Sequence, residues 1–320
     1  MYTVGSPFII IDEITDGITS AKTEILNKIE LLSTSVNNTY SSVLNVNTAN
    51  LVNNLLSDSD NANKWALRQT GIGAALNSAF DLNNPTLAGL STASAIAANK
   101  SVLCSLYFDD TMKTLCSKNP TINSAFNSLT AETILADGYG YKKYNVGDTV
   151  TLKYNGADTT FRVVHKNYKT ANKIVLMSEN ILEDKQWHSS SANNYSSSSI
   201  RTYLNSTVLG RFSSAIQNTI VTTSVACHDK STAVTCKDKI WLPSYTEVGL
   251  GTNTYAPVEG SCFSYFSTDA TNRRIKNSNY WWLRTPYSSD STIAWRVNTG
   301  GSGNYYSVTS SLGVVPAFEI

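Results

Sequence analysis

Two stretches constrain this chain more than any others: Tyr280-Trp-Trp-Leu-Arg-Thr-Pro286 and the ending Gly313-Val-Val-Pro-Ala-Phe-Glu-Ile320. Aromatic and branched residues followed by a proline that stops the run read as a core strand. The ending reads as a closing strand. An apolar strand left unpaired would present a sticky edge, so this one is expected inside a sheet. About two dozen residues separate the two stretches, rich in Tyr, Trp, Ser, Asn and Gly and poor in charge. Strands, a polar-aromatic span and a buried end together describe a scaffold that presents a surface.

Composition narrows the partners. The chain has 320 residues, enough for two domains or for one domain on an extended stalk. Its 25 Lys and Arg nearly balance its 24 Asp and Glu, so no strong field draws in nucleic acid or an anionic membrane. Only 15% of residues are charged, against about 25% in an ordinary globular domain. No stretch approaches ~20 consecutive apolar residues, and no membrane insertion is expected. The first residues lack a basic n-region, and their apolar run is cut at Asp12 and Glu13, which does not describe a Sec signal peptide. Release by lysis is then one route by which the protein would reach the outside of the producing cell.

Four segments follow in order. Residues 1–12 read as a short arm with a hydrophobic tip, either a strand capping the next helix or an anchor on a larger assembly. Residues 13–57 read as one long helix. Ile14, Ile18, Ala21, Ile25, Ile29, Leu32, Val36, Val43 and Val46 recur at alternating three and four, with Thr39 and Asn50 filling the same stripe. So narrow a stripe reads as a coiled-coil seam or as a long helix folded against its own domain; the seam is the favoured reading, and β-branched residues at both seam positions favour a parallel homotrimer. The four-four step from Ile25 to Ile29 relaxes the left-handed supercoil locally. Residues 58–137 carry short Ala-, Asn- and Ser-rich segments, among them Leu76-Asn-Ser-Ala-Phe80 and Ile122-Asn-Ser-Ala-Phe126. They read as a helical neck with degenerate repeats or as an ordinary small helical domain. The glycines of Asp137-Gly-Tyr-Gly140 mark a boundary, and residues 138–320 form the expected head. There Asn155-Gly156 predicts a hairpin between Thr149–Tyr154 and Thr159–His165. Lys173–Met177 reads as a buried strand, and helices are expected over Ile200–Asn205 and Val208–Ile220. Further strands are expected over 220–226, 239–242, 280–283, 293–297, 305–309 and 314–320.

Five cysteines, Cys104, Cys116, Cys227, Cys236 and Cys262, are an odd set. Cys227 and Cys236 suit a hairpin closed by a disulfide, two zinc ligands beside His228, or two free buried thiols. The zinc spacing matches no common knuckle, and a second ligand pair is missing.

Four motifs in order carry a family resemblance: Ser199-Ile-Arg-Thr-Tyr-Leu-Asn205, Trp241-Leu-Pro-Ser244 with Glu247, Trp281-Trp-Leu-Arg-Thr-Pro286, and Gly313-Val-Val-Pro-Ala-Phe318. Together they resemble a family of uncharacterised C-terminal domains of phage tail and fibre proteins and of Gram-positive proteins. Its fold is similar to the C-type-lectin-like fold of phage receptor-binding proteins and of the variable proteins of diversity-generating retroelements. The resemblance spans about 138–320. It implies an α+β chain in which a coiled-coil and helical stalk precedes a C-type-lectin-like head. In that fold the first and last strands pair and long loops crowd the far side.

Catalytic chemistry is hard to assemble from these residues. There are three histidines, His165, His188 and His228, and no nucleophile elbow, P-loop or dinucleotide fingerprint. No cysteine pair stands in the motif of the formylglycine-generating relatives of the lectin-like fold. The calcium-lectin strings Glu-Pro-Asn, Gln-Pro-Asp and Trp-Asn-Asp do not occur, and the acids Glu247, Glu259, Asp269, Asp290 and Glu319 do not cluster in sequence. The expectation is therefore no enzyme, no catalytic residue, no cofactor and no metal. The polar-aromatic span does have the composition of a paratope: rigid Tyr and Trp for contact area, Ser, Gly and Asn for adaptable hydrogen bonds. The candidate ligand-binding residues are Tyr287, Ser288, Ser289, Asp290, Trp295, Asn298, Asn304, Tyr305 and Tyr306, with His188 and Tyr195 from a second polar loop. The expected protein is a phage fibre that binds a bacterial surface glycan or protein through its head. It would be held to a virion tail, baseplate or capsid by its N-terminal arm, after assembly in the host cytoplasm. The alternatives are a structural virion or cell-surface decoration protein and, more distantly, a glycan-degrading enzyme.

Overall fold

The computed structural model describes residues 19–25, 100–110, 113, 117 and 120–320. The chain divides into two compact units, Met1–Leu129 and Thr130–Ile320. In the first, residues 19–25 are helical, and Ala21 and Ile25 are their least exposed positions. These two residues are four apart on the expected seam. The rest of the coiled coil, the N-terminal arm and the neck as far as residue 99 lie outside the described residues. Helices α1 (Lys100–Tyr107) and α2 (Pro120–Asn127) bury Leu103, Leu106 and Phe126, and Tyr107 meets Phe126 edge-on at 5.5 Å.

The second unit is a mixed α+β fold. Its helices are α3 (Ala131–Ala136), α4 (Gly140–Lys143), α5 (Ser199–Tyr203), α6 (Ser214–Thr219) and α7 (Ala270–Arg274). Its strands are β1 (Thr149–Tyr154), β2 (Ala157–Lys166), β3 (Ile174–Ser178), β4 (Asp184–Gln186), β5 (Thr223–Asp229), β6 (Thr232–Asp238), β7 (Ile240–Trp241), β8 (Trp281–Pro286), β9 (Ile293–Val297), β10 (Gly303–Ser307), β11 (Ser311–Gly313) and β12 (Ala317–Glu319). One sheet runs β1-β2-β3-β12-β7, a second β10-β9-β8-β11-β4, and β5 with β6 makes a separate ribbon.

Local chemistry accounts for much of this order. Asn155 and Gly156 both take positive φ, 50° and 79°, the pair a two-residue hairpin turn demands, so β1 and β2 are neighbours. Strand β1 alternates exposed and buried, pointing Val150, Leu152 and Tyr154 inward. Strand β12 lies inside the sheet, with Ala317 opposite Met177 on β3 and opposite Trp241 on β7. The first and last strands therefore do not pair, contrary to the lectin-like expectation. The hairpin turn spends β2 on β1, β2 also covers one side of β3, and only the other side of β3 is left for β12.

The helical region also differs from expectation. Helix α5 runs on through a π-helical turn, Leu204–Val208, to residue 210, and the chain breaks only at 211–213. Asn205 does not stop the helix because its side chain is engaged elsewhere, accepting from Lys239 N and donating to the Ile240 carbonyl. The Ser213 hydroxyl caps α6 by accepting from Ile216 N.

Trp281 and Trp282 are both fully buried, on opposite faces of β8. Trp281 packs with Trp241, Leu283, Trp295 and Phe263, and Trp282 with Phe161, Leu204 and Phe318. Removing such a ring commonly costs ~3–5 kcal/mol, so the Trp-Trp pair binds the second sheet to two cores at once. Cys227 and Cys236 meet across the β5–β6 ribbon as free, buried thiols with their sulfurs 2.7 Å apart. Cys104 is buried and Cys262 is an exposed free thiol, while Cys116 lies outside the described residues.

Candidate functional site

The polar-aromatic span rests on a buried scaffold. Arg284 is fully buried and donates to both carboxylate oxygens of Glu247, at 2.5 and 2.7 Å, and to the carbonyls of Ala226 and Leu242. Glu259, also fully buried, lies 3.6 Å from Arg284 Nε, accepts from the Thr285 hydroxyl, and has His228 Nδ1 at 3.3 Å. Burial works against the Arg284 charge, but Glu247 outweighs it and holds the guanidinium above its ordinary range. The Ser244 hydroxyl donates to the Glu259 carbonyl, and the Ser244 amide donates to Glu247. Two acids that stand apart in sequence thus meet on one arginine. The buried guanidinium and its two carboxylates are sealed from solvent and fix the segments they bond. Glu319 is satisfied separately, by the Lys169 and Thr170 amides and the hydroxyls of Thr170 and Thr223.

Two further side chains anchor the loops above. Asn193, fully buried, places its amide nitrogen within hydrogen-bond distance of the carbonyls of Tyr287, Asp290 and Ile293, where its two N–H groups are shared, and so holds the β8–β9 loop. Arg274 donates to the carbonyls of Gly301, Val248 and Gly249. Gly301 has φ of 79°, and a Cβ there would lie 2.1 Å from the Thr271 carbonyl, so only glycine fits the β9–β10 turn.

On this base sits an aromatic shelf. Tyr255 stacks on Tyr287 at 4.9 Å and 21°, and Tyr287 meets Tyr305 at 4.7 Å. Trp295 lies beneath, 5.5 Å from Tyr287 and 5.7 Å from Tyr305, and donates its indole N–H to the Tyr255 carbonyl. Tyr245 closes the underside at 4.7 Å from Trp295. Tyr255 and Tyr305 are 44% and 47% exposed, whereas Trp295 is only 4% exposed. The shelf is therefore tyrosine on a tryptophan floor. Beside it a recess of about 550 Å³ is lined by Thr252, Asn253, Thr254 and Tyr255.

The candidate residues divide between two faces of the β8–β9–β10 sheet. Tyr305 pairs with Trp295 and shares its face, while Asn304 and Tyr306 pair with Arg296 and Ala294 on the other. Tyr306 is 46% exposed there. Ser289 and Asp290 are exposed and Ser288 half-buried. Asp290 accepts from the Thr292 amide and hydroxyl, which hold its carboxyl below the ordinary range. Asn298 uses its side-chain oxygen on the amides of Gly300 and Ser302, so it shapes the turn. Asn304 accepts from the Tyr305 amide at 2.6 Å. His188 is half-buried, with Nδ1 buried and unpartnered. Tyr195 departs from expectation: it is fully buried against Trp187, and its hydroxyl accepts from Leu242 N. It belongs to the core, because its ring turns in while Asn194 and Ser197 beside it stay exposed.

Tyr255, Tyr280 and Arg296 were not anticipated. Tyr255 carries the same signal as its partners, a tyrosine after Gly, Thr and Asn in Gly251-Thr-Asn-Thr-Tyr255. Arg296 had a fainter one, alternating with Trp295 and Val297 in β9 without an acid nearby in sequence.

A family model described as Domain of unknown function (DUF6273) matches residues 171–320. The match is consistent with an uncharacterised C-terminal domain family and contains the buried Arg284 group and the whole shelf. No curated protein and no solved structure matches the chain.

Proposed function

We propose that the second unit is a binding head of the C-type-lectin-like kind on a trimeric phage fibre, and that its aromatic shelf grips a bacterial surface glycan. The observation that carries this reading is the contiguous set of exposed Tyr255 and Tyr305 bridged by half-buried Tyr287 on a buried Trp295 floor. Rings held against one another on a buried floor lose little entropy on binding and offer apolar faces to a sugar ring. Ser289 and the recess residues Thr252 and Asn253 supply hydrogen bonds at the rim. The seam from Ile14 to Val46 supports three copies of the head per fibre, so modest single-site affinity is multiplied when several heads engage one cell. The placing of β12 between β3 and β7 counts against the lectin-like likeness, which rests on the four motifs.

The test is attachment of the full-length chain to a panel of intact Gram-positive cells, with and without competing glycan extracted from their walls. The reading expects selective attachment that the glycan abolishes. Uniform failure across the panel, or attachment indifferent to glycan, would overturn it.

A further inference from the structure

Arg296 stands out among the arginines. The other six in the described residues all donate to protein acceptors: Arg162 to Glu179, Arg201 to Asp238, Arg211 to Glu183, Arg273 to the Tyr265 carbonyl, Arg274 to the Gly301 carbonyl and Arg284 to Glu247. Among the described residues Arg296 has no such acceptor and no carboxylate within ion-pair distance, and its Nε is buried without a partner. Its guanidinium carbon lies 4.1 Å from the centre of the Tyr280 ring and 4.3 Å from that of Tyr306. Tyr280 leads into β8 and Tyr306 is on β10, the two strands flanking β9, so the rings close on the guanidinium from opposite sides. The side chain is thus clamped flat and partly stripped of water, with its donor edge unanswered. Burial also lowers its pKa, which the two tyrosines only partly offset.

A fixed planar fork with free N–H donors matches the geometry of a carboxylate or phosphate, which accepts two parallel hydrogen bonds. Asn304 stands opposite Arg296 across the β9–β10 pair, and its oxygen is already taken by the Tyr305 amide, so its NH₂ group is the part left to donate. The geometry points to Arg296, clamped by Tyr280 and Tyr306, as a binding site for an oxyanion group, a carboxylate or phosphate borne on a sugar or polyol. This site lies on the face of the sheet opposite the Tyr255–Tyr287–Tyr305 shelf and does not depend on it.

The test is calorimetric titration of the full-length chain, at fixed ionic strength, with D-glucuronate and with glycerol 3-phosphate, glucose serving as the neutral control. The site predicts binding of at least one oxyanion, with the better ligand telling carboxylate from phosphate, and no binding of glucose. Arg296→Gln should weaken that binding at least about tenfold, because both charge and fork are lost. Arg296→Lys keeps the charge without the fork and should fall between. Should Arg296→Gln fail to fold, Arg296→Lys carries the comparison. Absence of binding by both oxyanions, or wild-type binding by a folded variant, overturns the site. Oxyanion binding by a chain that attaches to no cell would remove the head reading and leave this site. Attachment without oxyanion binding would do the reverse.

Discussion

Arg284 on β8 and Arg296 on β9 occupy neighbouring strands and face opposite demands. Arg284 is sealed, has Glu247 across a two-bond fork, and ties Ala226 of β5 to the segments of Leu242 and Glu259. Arg296 lies toward the outer edge, is gripped by aromatic faces, and among the described residues has nothing to give its donors to. The first arrangement creates rigidity, because removing any member leaves a buried charge uncompensated. The second stores a recognition capability, because its hydrogen bonds are still to be made. The tyrosine shelf resembles the second region: it is supported from below and unsatisfied above. On the proposed reading, stability resides inside β8 and contact along β9 and β10.

This contrast is broken most forcefully by removing the inner partner. Arg284→Met leaves Glu247 and Glu259 buried with no guanidinium and should destabilise the second unit by ~3–5 kcal/mol, read as a lower denaturant midpoint. A change under ~1 kcal/mol would mean that the network is not what holds the loops.

Lys276 sharpens the comparison from the other side, as a nearly buried cation with no side-chain hydrogen-bond acceptor among the described residues. Burial, partly countered by Glu179, pushes its pKa down to about 8. The unfolded chain holds this proton up to about 10.4, so the cost of burying the charge is full below pH 8 and disappears as pH rises between those values. Each pH unit separating the two values corresponds to about 1.4 kcal/mol, so Lys276→Met should stabilise the protein at pH 7 by roughly 2–3 kcal/mol. The gain should shrink toward pH 10. Glu179 keeps its two bonds from Arg162, so the loss of Lys276 does not orphan it.

A smaller effect is expected at His165, whose Nδ1 faces the Ser264 amide and hydroxyl. Burial lowers its pKa, against the pull of Glu247 and Glu319. The unfolded chain therefore takes up this proton first. The neutral ring's contribution is complete above about pH 6.5 and is lost as pH falls below it. His165→Gln should flatten that part of the stability profile, and a wild-type slope in the variant would reassign it to another group.

What the sequence disclosed depended on whether the deciding interaction was local. The β1–β2 hairpin was legible because Asn155-Gly156 sets its own turn. The core strand that carries Trp281 and Trp282 was legible, with at least one ring expected inside, but burial of both rings needed a second core on the other face of β8. Arg284 was legible only as a member of the core strand. Its actual partners, Glu247 and Glu259, are far from it in sequence, and no pattern along the chain could join them. Asn205 looked like a helix stop only because its bonds to β7 are tertiary. Tyr195 looked exposed because composition reports a loop's polarity and not the direction of one ring. Part of the shelf was visible as Tyr287, Trp295 and Tyr305, while Tyr255 came from another loop.

The measurement that bears most directly on this account is attachment of full-length Tyr255→Ala/Tyr305→Ala to cells that the wild-type chain binds, with melting followed in parallel. Both rings are about half exposed, and each binding aromatic removed should cost roughly 1–3 kcal/mol of single-site affinity. The account predicts a melting temperature close to wild type and a strong loss of attachment. A folded double variant that attaches as well as wild type would contradict it and remove the shelf as the place of contact.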